Sequence, residues 1–407
     1  MALPTRQQIV EKPVRIVRMI VAAMLMRLTV DTSARMFYPF LPEISRGLGI
    51  SLAQGGLLMS LRSSMIFLSP LFGAYTDRRG ARNLLAVALL VQAGGLVWLS
   101  TASGFATAVP PMMMLGLASA AFIPNMQAAI SEQVPFDRRG RILGIIEFSW
   151  AITGLIILPI VGVVMTVQGW QAPLRVVAIC SLAAAPLAFL LPSQRRPLAL
   201  LQTGMRRSAA IVLRTTSARG GIIVNGLMFV AAETFFVTYG AWMEQSFGMR
   251  PDQVGRIAAT LGVAELIAST TSSLFIDRIG KRRGVGIGLV GMAVFMALLP
   301  LAGSILPLAV AAMFLFTIAF EFSIVSNIGL MSEQVPSMRG TVLSLSAMAA
   351  GLVRAGSATA GAALFEWRGI TAAAAFGVAG AALAAFVLFR WVNERGDMPP
   401  VVEEAHV

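Results

Sequence analysis

Apolar runs long enough to cross a bilayer, separated by short polar turns, fill almost the whole 407-residue chain. A helix needs about 20 mostly apolar residues to span the hydrocarbon core. The pattern predicts twelve such helices, at 17–42, 52–76, 84–103, 108–131, 141–167, 172–192, 219–243, 252–276, 284–303, 306–331, 340–365 and 370–391. The first run follows Arg15 and Arg18 as a signal peptide would, but no small-residue cleavage site follows it. Because Arg27, Asp31 and Arg35 also interrupt it, it reads as the first helix. The one long polar connector, 193–218, is rich in arginine and poor in acids. It divides the chain into a half at 1–192, a linker, a second half at 219–392 and a tail at 393–407, with an amphipathic interfacial helix predicted from Leu198 to Leu213.

The two halves repeat each other. Ser-Glu-Gln-Val-Pro at Ser131 to Pro135 recurs at Ser332 to Pro336, followed by Arg139-Gly140 and Arg339-Gly340. Gly73-x-x-x-Asp77-Arg78-x-Gly80 recurs as Ser273-x-x-x-Asp277-Arg278-x-Gly280. Both pairs imply one translation of about 200 residues, so a single unit is written twice. The expected fold is an all-α membrane protein of twelve transmembrane helices in two six-helix, pseudo-symmetric halves, the plan of many secondary transporters.

Composition narrows the choices further. Charged residues make up 13% and apolar residues 57%, more apolar surface than a soluble chain of this size can hide. Cys180 and His406 are the only cysteine and histidine, so no metal site, disulfide framework or cofactor is expected. No nucleophile with a plausible base is present either, so the chain does not read as an enzyme. A net charge of +13 would suggest nucleic acid if it were clustered on one soluble face. Instead the basic residues collect in the termini, the central linker and alternate loops such as Arg78–Arg82 and Arg278–Arg283. The opposite loops hold only Arg46, Arg175, Arg250, Arg256 and Arg368. By the positive-inside rule both termini and the linker are cytoplasmic, with anionic lipid headgroups as counterpart and no nucleic-acid partner.

Nine ionisable residues fall well inside predicted helices: Arg27, Asp31, Arg35, Arg62, Glu147, Glu233, Glu265, Glu321 and Arg354. Facing lipid, they would cost on the order of 25 kcal/mol, so they must face protein or water. Helices 3, 6, 9 and 12 carry none centrally and are expected to face lipid. Buried charges in a bundle mark ion or substrate pathways, although an acid and an arginine can also simply lock two helices. Arg27, Asp31 and Arg35 follow i, i+4, i+8, so Asp31 can reach either arginine. Asp31 and Glu233 occupy equivalent places in the two repeats and form the expected proton-responsive pair, with Glu265 or Glu321 as alternates. Asn125 and Asn327 either meet substrate or bridge helices. Phe235, Phe236, Tyr239 and Trp242 read as interface anchors more readily than as a binding wall.

The segment Gly73-x-x-x-Asp77-Arg78-x-Gly80-x-Arg82, between helices 2 and 3, resembles the cytoplasmic signature of the major facilitator superfamily. Glu132 with Arg139, and Glu333 with Arg339, look like the acid-to-arginine element of that family. The resemblance covers essentially the whole chain and is closest in style to bacterial drug/proton antiporters. It implies a cytoplasmic gate built from these residues together with Asp277 and Arg278, and a rocking mechanism around a central cavity. Ala81 and Ser273 depart from the signature, and Gly154, Pro159 and Gly162 imitate only partly the antiporters' Gly-Pro element in helix 5. The expectation is a monomeric, multi-pass inner-membrane transporter that works by alternating access, driven by a proton gradient, and exports a hydrophobic or amphipathic small molecule. Uptake or exchange of an organic anion is the alternative. A non-concentrating scramblase or membrane sensor is the alternative of another class.

Overall fold

The structure is a computed structural model that describes residues 13–131, 133–134, 136–191, 205–303, 305–335 and 338–394. Every predicted helix is found. Span 1 comprises Pro13–Arg35 and Phe37–Leu48, and span 2 comprises Leu52–Ser64, Met65–Leu68 and Ser69–Arg79. Span 3 is Ala81–Leu99 and span 4 is Phe105–Ser131. Span 5 comprises Phe136–Ile152, Thr153–Ile157 and Leu158–Gln168, and span 6 comprises Gln171–Ala184 and Ala185–Leu190. In the second half, spans 7 to 10 are Thr216–Phe247, Pro251–Ile279, Lys281–Ala302 and Leu306–Gln334. Arg339–Trp391 supplies spans 11 and 12, because its helical path breaks at Arg368 (φ −140°) and Gly369 (φ 64°). A short helix, Met205–Arg214, lies within the stretch expected to be amphipathic, whose first residues, 198–204, lie outside the described residues. Its buried Val212 packs with Ile222 and Val342 of spans 7 and 11.

The duplicated signature has a backbone cause. Gly80 (φ 84°) ends span 2 and starts span 3, and Gly280 (φ 91°) does the same between spans 8 and 9. Both take positive φ, which side chains disfavour, and both amides bond back into the preceding helix, to the carbonyls of Thr76 and Ile276. The arginine after each glycine ties the corner to the last span of its own half: Arg82 donates to the Leu191 carbonyl, and Arg282 to that of Phe389. The two copies thus perform the same local task.

The halves meet at the end away from the basic loops. Span 7 packs on Phe37–Leu48 of span 1 and scarcely on Pro13–Arg35; span 8 packs on Leu158–Gln168 far more than on Phe136–Ile152. Glu366 accepts from the Ala53 amide at 2.9 Å, Thr166 accepts from the Asp252 amide at 3.1 Å, and Arg46 bridges Glu43 and Glu244. Arg46 lies past the apolar run of span 1, and its hydrogen bonds to those two carboxylates raise its pKa above the ordinary value. Toward the basic end the described helices of the two halves make few contacts with each other.

Span 7 is buried over most of its length, and spans 3, 6, 9 and 12 expose apolar side chains such as Val87, Leu90, Ile179, Val290 and Phe386. Exposure is not confined to those four, since Ile156, Ile160, Val163 and Val167 of span 5 are also exposed. The threefold pattern therefore sorts the charges more sharply than it sorts the apolar surface.

Candidate functional site

Three departures from regular helix, all in the first half, set the site. Span 1 breaks at Met36, span 2 tightens to a 3-10 turn at Met65–Leu68, and span 5 widens to a π turn at Thr153–Ile157. Pro39, Pro70 and Pro159 follow them. A proline has no amide hydrogen and crowds the carbonyl four residues earlier, so the helix changes its local geometry there. Those carbonyls belong to Arg35, Ile66 and Leu155, at or within the irregular segments.

The widened turn of span 5 makes a seat for Arg35. A Cβ at Gly154 would lie 2.8 Å from its guanidinium carbon, so only glycine leaves room. The guanidinium lies over Trp150, 4.7 Å from the ring centroid, and donates to the Trp150 carbonyl at 2.9 Å. Its other nitrogen reaches across the halves to Glu265 Oε1 on span 8, at 2.5 Å. Both side chains are buried, and Glu265 Oε2 has no hydrogen-bond partner among the described residues. Glu321 of span 10 lies within electrostatic range of both Arg35 and Glu265.

A second cross-half cluster lies beside it. Arg354 of span 11 donates to Glu233 Oε2 at 2.9 Å and to the Tyr38 hydroxyl at 2.5 Å, and Tyr38 donates to Glu233 Oε1 at 3.1 Å. Tyr38 belongs to span 1, so this triad also ties the halves together. Between the two clusters is a cavity of about 60 Å³ walled by Trp150, Phe229, Phe236, Tyr239 and Phe320. Drug-sized ligands need several hundred Å³, so in this state the cavity is contracted. A larger cavity of about 410 Å³ lies at the closed end, around Glu43, Arg46, Glu244 and Arg250.

A third network stays within the first half. Arg27 pairs with Asp31 at 2.8 Å and with both oxygens of Glu147 at 3.1 and 3.0 Å. Ser149 donates to Asp31 at 2.5 Å, and Gln127 donates to Glu147 at 2.8 Å. Arg62 stands apart, donating to the Ala34 carbonyl at 3.1 Å.

Asp31 and Glu233, expected to respond to protons as a pair, belong to separate hydrogen-bond networks. The two are counted alike from their helix starts, but span 7 meets span 1 beyond the Met36 break. Glu233 therefore faces Tyr38, seven residues past Asp31, which is about 10 Å along a helix. Asp31 binds Arg27 alone of its two candidate arginines, because Arg35 is drawn to Glu265. Asn327 bridges helices, donating to Asn225, which donates to the Ser346 carbonyl; Asn125 donates to the Ala121 carbonyl of its own helix. Phe235, Tyr239 and Trp242 are buried in the interior and are not interface anchors, because span 7 is enclosed by its neighbours at that level. Tyr38 and Ser149 carry no sequence signal of this role, since a lone phenol or hydroxyl in an apolar helix has no periodic pattern.

Among the gate residues, a Cβ at Gly73 would meet nothing within 4 Å among the described residues, so no close helix contact there requires this glycine. Lys281 pairs with Glu333, and Arg278 and Arg339 are exposed. The side chains of Asp77, Arg78, Arg139 and Asp277, and all of Glu132, lie outside the described residues.

Comparison with known proteins agrees with this architecture. A family model described as Major Facilitator Superfamily matches residues 23–220 and again 221–405. A multi-drug resistance efflux pump PmrA homolog of Lactococcus lactis is 25% identical over 291 residues, 67% of this chain and 69% of that one. The cis,cis-muconate transport protein of Acinetobacter baylyi is 24% identical over 324 residues, 74% of this chain and 76% of that one. Among solved structures, a bacterial homolog to the human lysosomal transporter Spinster, inward-facing and unoccupied, superposes with a TM-score of 0.79 at 13% identity, over 95% of this chain and 99% of that chain; this is a likeness of fold. With twelve spans, a duplicated corner signature and a family match running through both halves, the chain belongs to the Major Facilitator Superfamily of membrane transporters.

Proposed function

We propose that the chain is a proton-coupled secondary transporter that exports a hydrophobic or amphipathic small molecule by alternating access. The observation that carries this reading is the buried Arg35–Glu265 bond across the halves, on the wall of an aromatic cavity. With Glu265 ionised, the bond holds the halves together at the level of the cavity. A proton on Glu265 weakens it, and so does a substrate that draws Arg35 away. The empty, deprotonated carrier is thus locked, while either ligand releases it, which is the condition for obligatory exchange. The Arg354–Tyr38–Glu233 triad repeats the arrangement on the other wall. The similarity to an efflux pump supports the direction of transport. The arginine distribution supports cytoplasmic termini in an inner membrane, with Asp77 and Arg139 in a gate on the cytoplasmic side. Anionic headgroups then face the basic loops, and one chain forms the complete transporter.

The test is transport into proteoliposomes under an imposed pH gradient, across a panel of cationic, neutral and anionic aromatic probes. Accumulation of at least one probe against its gradient is expected. Equilibration alone for every probe would make the chain a facilitator or scramblase and refute proton coupling.

A further inference from the structure

Of the four arginines well inside the predicted apolar runs, Arg27, Arg35, Arg62 and Arg354, Arg62 alone has no carboxylate at ion-pair distance among the described residues. Arg27, Arg35 and Arg354 each hold at least one acid. Arg62 is only 9% exposed, its Nε is buried with no acceptor, and its guanidinium carbon lies 5.6 Å from the Phe37 ring centroid. A backbone carbonyl and a ring face are weak compensation for a buried cation. The remaining acids do not relieve it: Asp31 and Glu147 serve Arg27, Glu265 serves Arg35, Glu233 serves Arg354, and Glu321 is on the Arg35 side.

The charges around the cavity are consequently lopsided. Tyr38, Glu233 and Arg354 line one wall, and Arg62, which does not itself line the cavity, lies within electrostatic range of all three, so that side holds two cations and one carboxylate. The other side, with Arg35 and Glu265 on the wall and Glu321 within electrostatic range of both, holds one cation and two carboxylates. A proton on the second side balances it. The first side keeps one positive charge in excess that no acid among the described residues pairs with. Arg354 is one-third exposed, and it lines the cavity together with the Tyr38 hydroxyl.

We propose that Arg354 and the Tyr38 hydroxyl on the cavity wall, with the unpaired Arg62 in electrostatic range of both, form an anion subsite, and that the transported substrate is an amphipathic monoanion, a carboxylate or sulfonate on an apolar body. The body lies along Phe229, Phe236 and Phe320, whose rings contact one another at 5.7–5.8 Å between centroids. The inference rests on the reading of this cavity as the substrate site. An anion there competes with Glu233 for Arg354, so its arrival loosens the second cross-half contact as well.

The test is calorimetric binding of three matched probes, naphthalene sulfonate, naphthyl methanol and naphthyl methylammonium, to the full-length protein in phosphatidylcholine nanodiscs. The sulfonate should bind roughly tenfold or more tightly than the alcohol, the scale of a charge-assisted hydrogen bond. Arg62→Gln should erase that preference and leave the alcohol unchanged, and Arg62→Lys should restore part of it, since lysine keeps the charge without the planar fork. If Arg62→Gln does not fold, Tyr38→Phe carries the test and should weaken the sulfonate more than the alcohol. A sulfonate preference that survives both Arg62→Gln and Tyr38→Phe, or tighter binding of the ammonium, overturns the subsite. Competition of added phosphatidylglycerol with the sulfonate would reassign the anion to a lipid headgroup and overturn the substrate inference. Proton-driven accumulation of neutral or cationic probes without a sulfonate preference would remove the subsite and leave the coupling reading standing. A sulfonate preference without any proton-driven accumulation would do the reverse.

Discussion

Replacing Glu265 by glutamine should release the bond that keeps the halves together at the cavity. Glutamine keeps the shape of the side chain and mimics its protonated form, and Arg35 retains the Trp150 carbonyl and ring. The loss is therefore that of one charge-assisted hydrogen bond, about 1.5–3 kcal/mol, and not the full cost of an abandoned buried charge. That energy corresponds to a shift of roughly 10- to 100-fold between the state closed away from the basic loops and the state open there. An open state present at about 1% would rise to between about 10% and about half. Spin labels at Val167 and Trp367, both strongly exposed near the closed end and on opposite halves, can report it by pulsed dipolar spectroscopy after Cys180 is replaced. Glu265→Gln should add a longer-distance population that does not change with pH, whereas the native chain should gain that population only on acidification. Identical distance distributions in the two proteins at every pH would refute the latch.

Three further expectations follow from the same geometry. Asp31→Asn should leave that distance distribution at its native pH response, because every partner of Asp31 among the described residues lies in its own half; a shift as large as that of Glu265→Gln would show that the intra-half network is part of the latch. Gly154→Val should reproduce the Glu265→Gln distances, since a side chain there displaces the Arg35 guanidinium; an unchanged distribution would mean that Arg35 finds another seat. Cysteines introduced at Arg206 and Asp397 should resist an impermeant reagent applied outside intact cells, and ready labelling of either would reverse the topology.

The fold was legible because its signal is local and redundant. Hydropathy marks each span, and Gly80 and Gly280 mark corners that need positive φ, so the helix boundaries in the structure differ from expectation by only a few residues. The set of buried charges was legible too, because a charge in an apolar run stands out by itself. Their partners were not. Arg35 lies four residues from Asp31 yet pairs with Glu265 on the far half, since the turn at Thr153–Ile157 opens a seat over Gly154 and span 8 crosses there. Repeat equivalence suggested that Asp31 and Glu233 share a level, but the halves meet past Met36 and make few contacts toward the basic end, which brings Tyr38 to Glu233 instead. Such choices depend on how two rigid bundles tilt, and neighbouring residues carry no record of that tilt.

Proton coupling through the cross-half latch is tested most directly by recording probe uptake and proton movement together in proteoliposomes. The native chain should concentrate an aromatic probe against its gradient while protons move the opposite way, and Glu265→Gln should only equilibrate the probe with no linked proton movement. Concentrative, proton-linked transport by Glu265→Gln equal to that of the native chain would contradict the account.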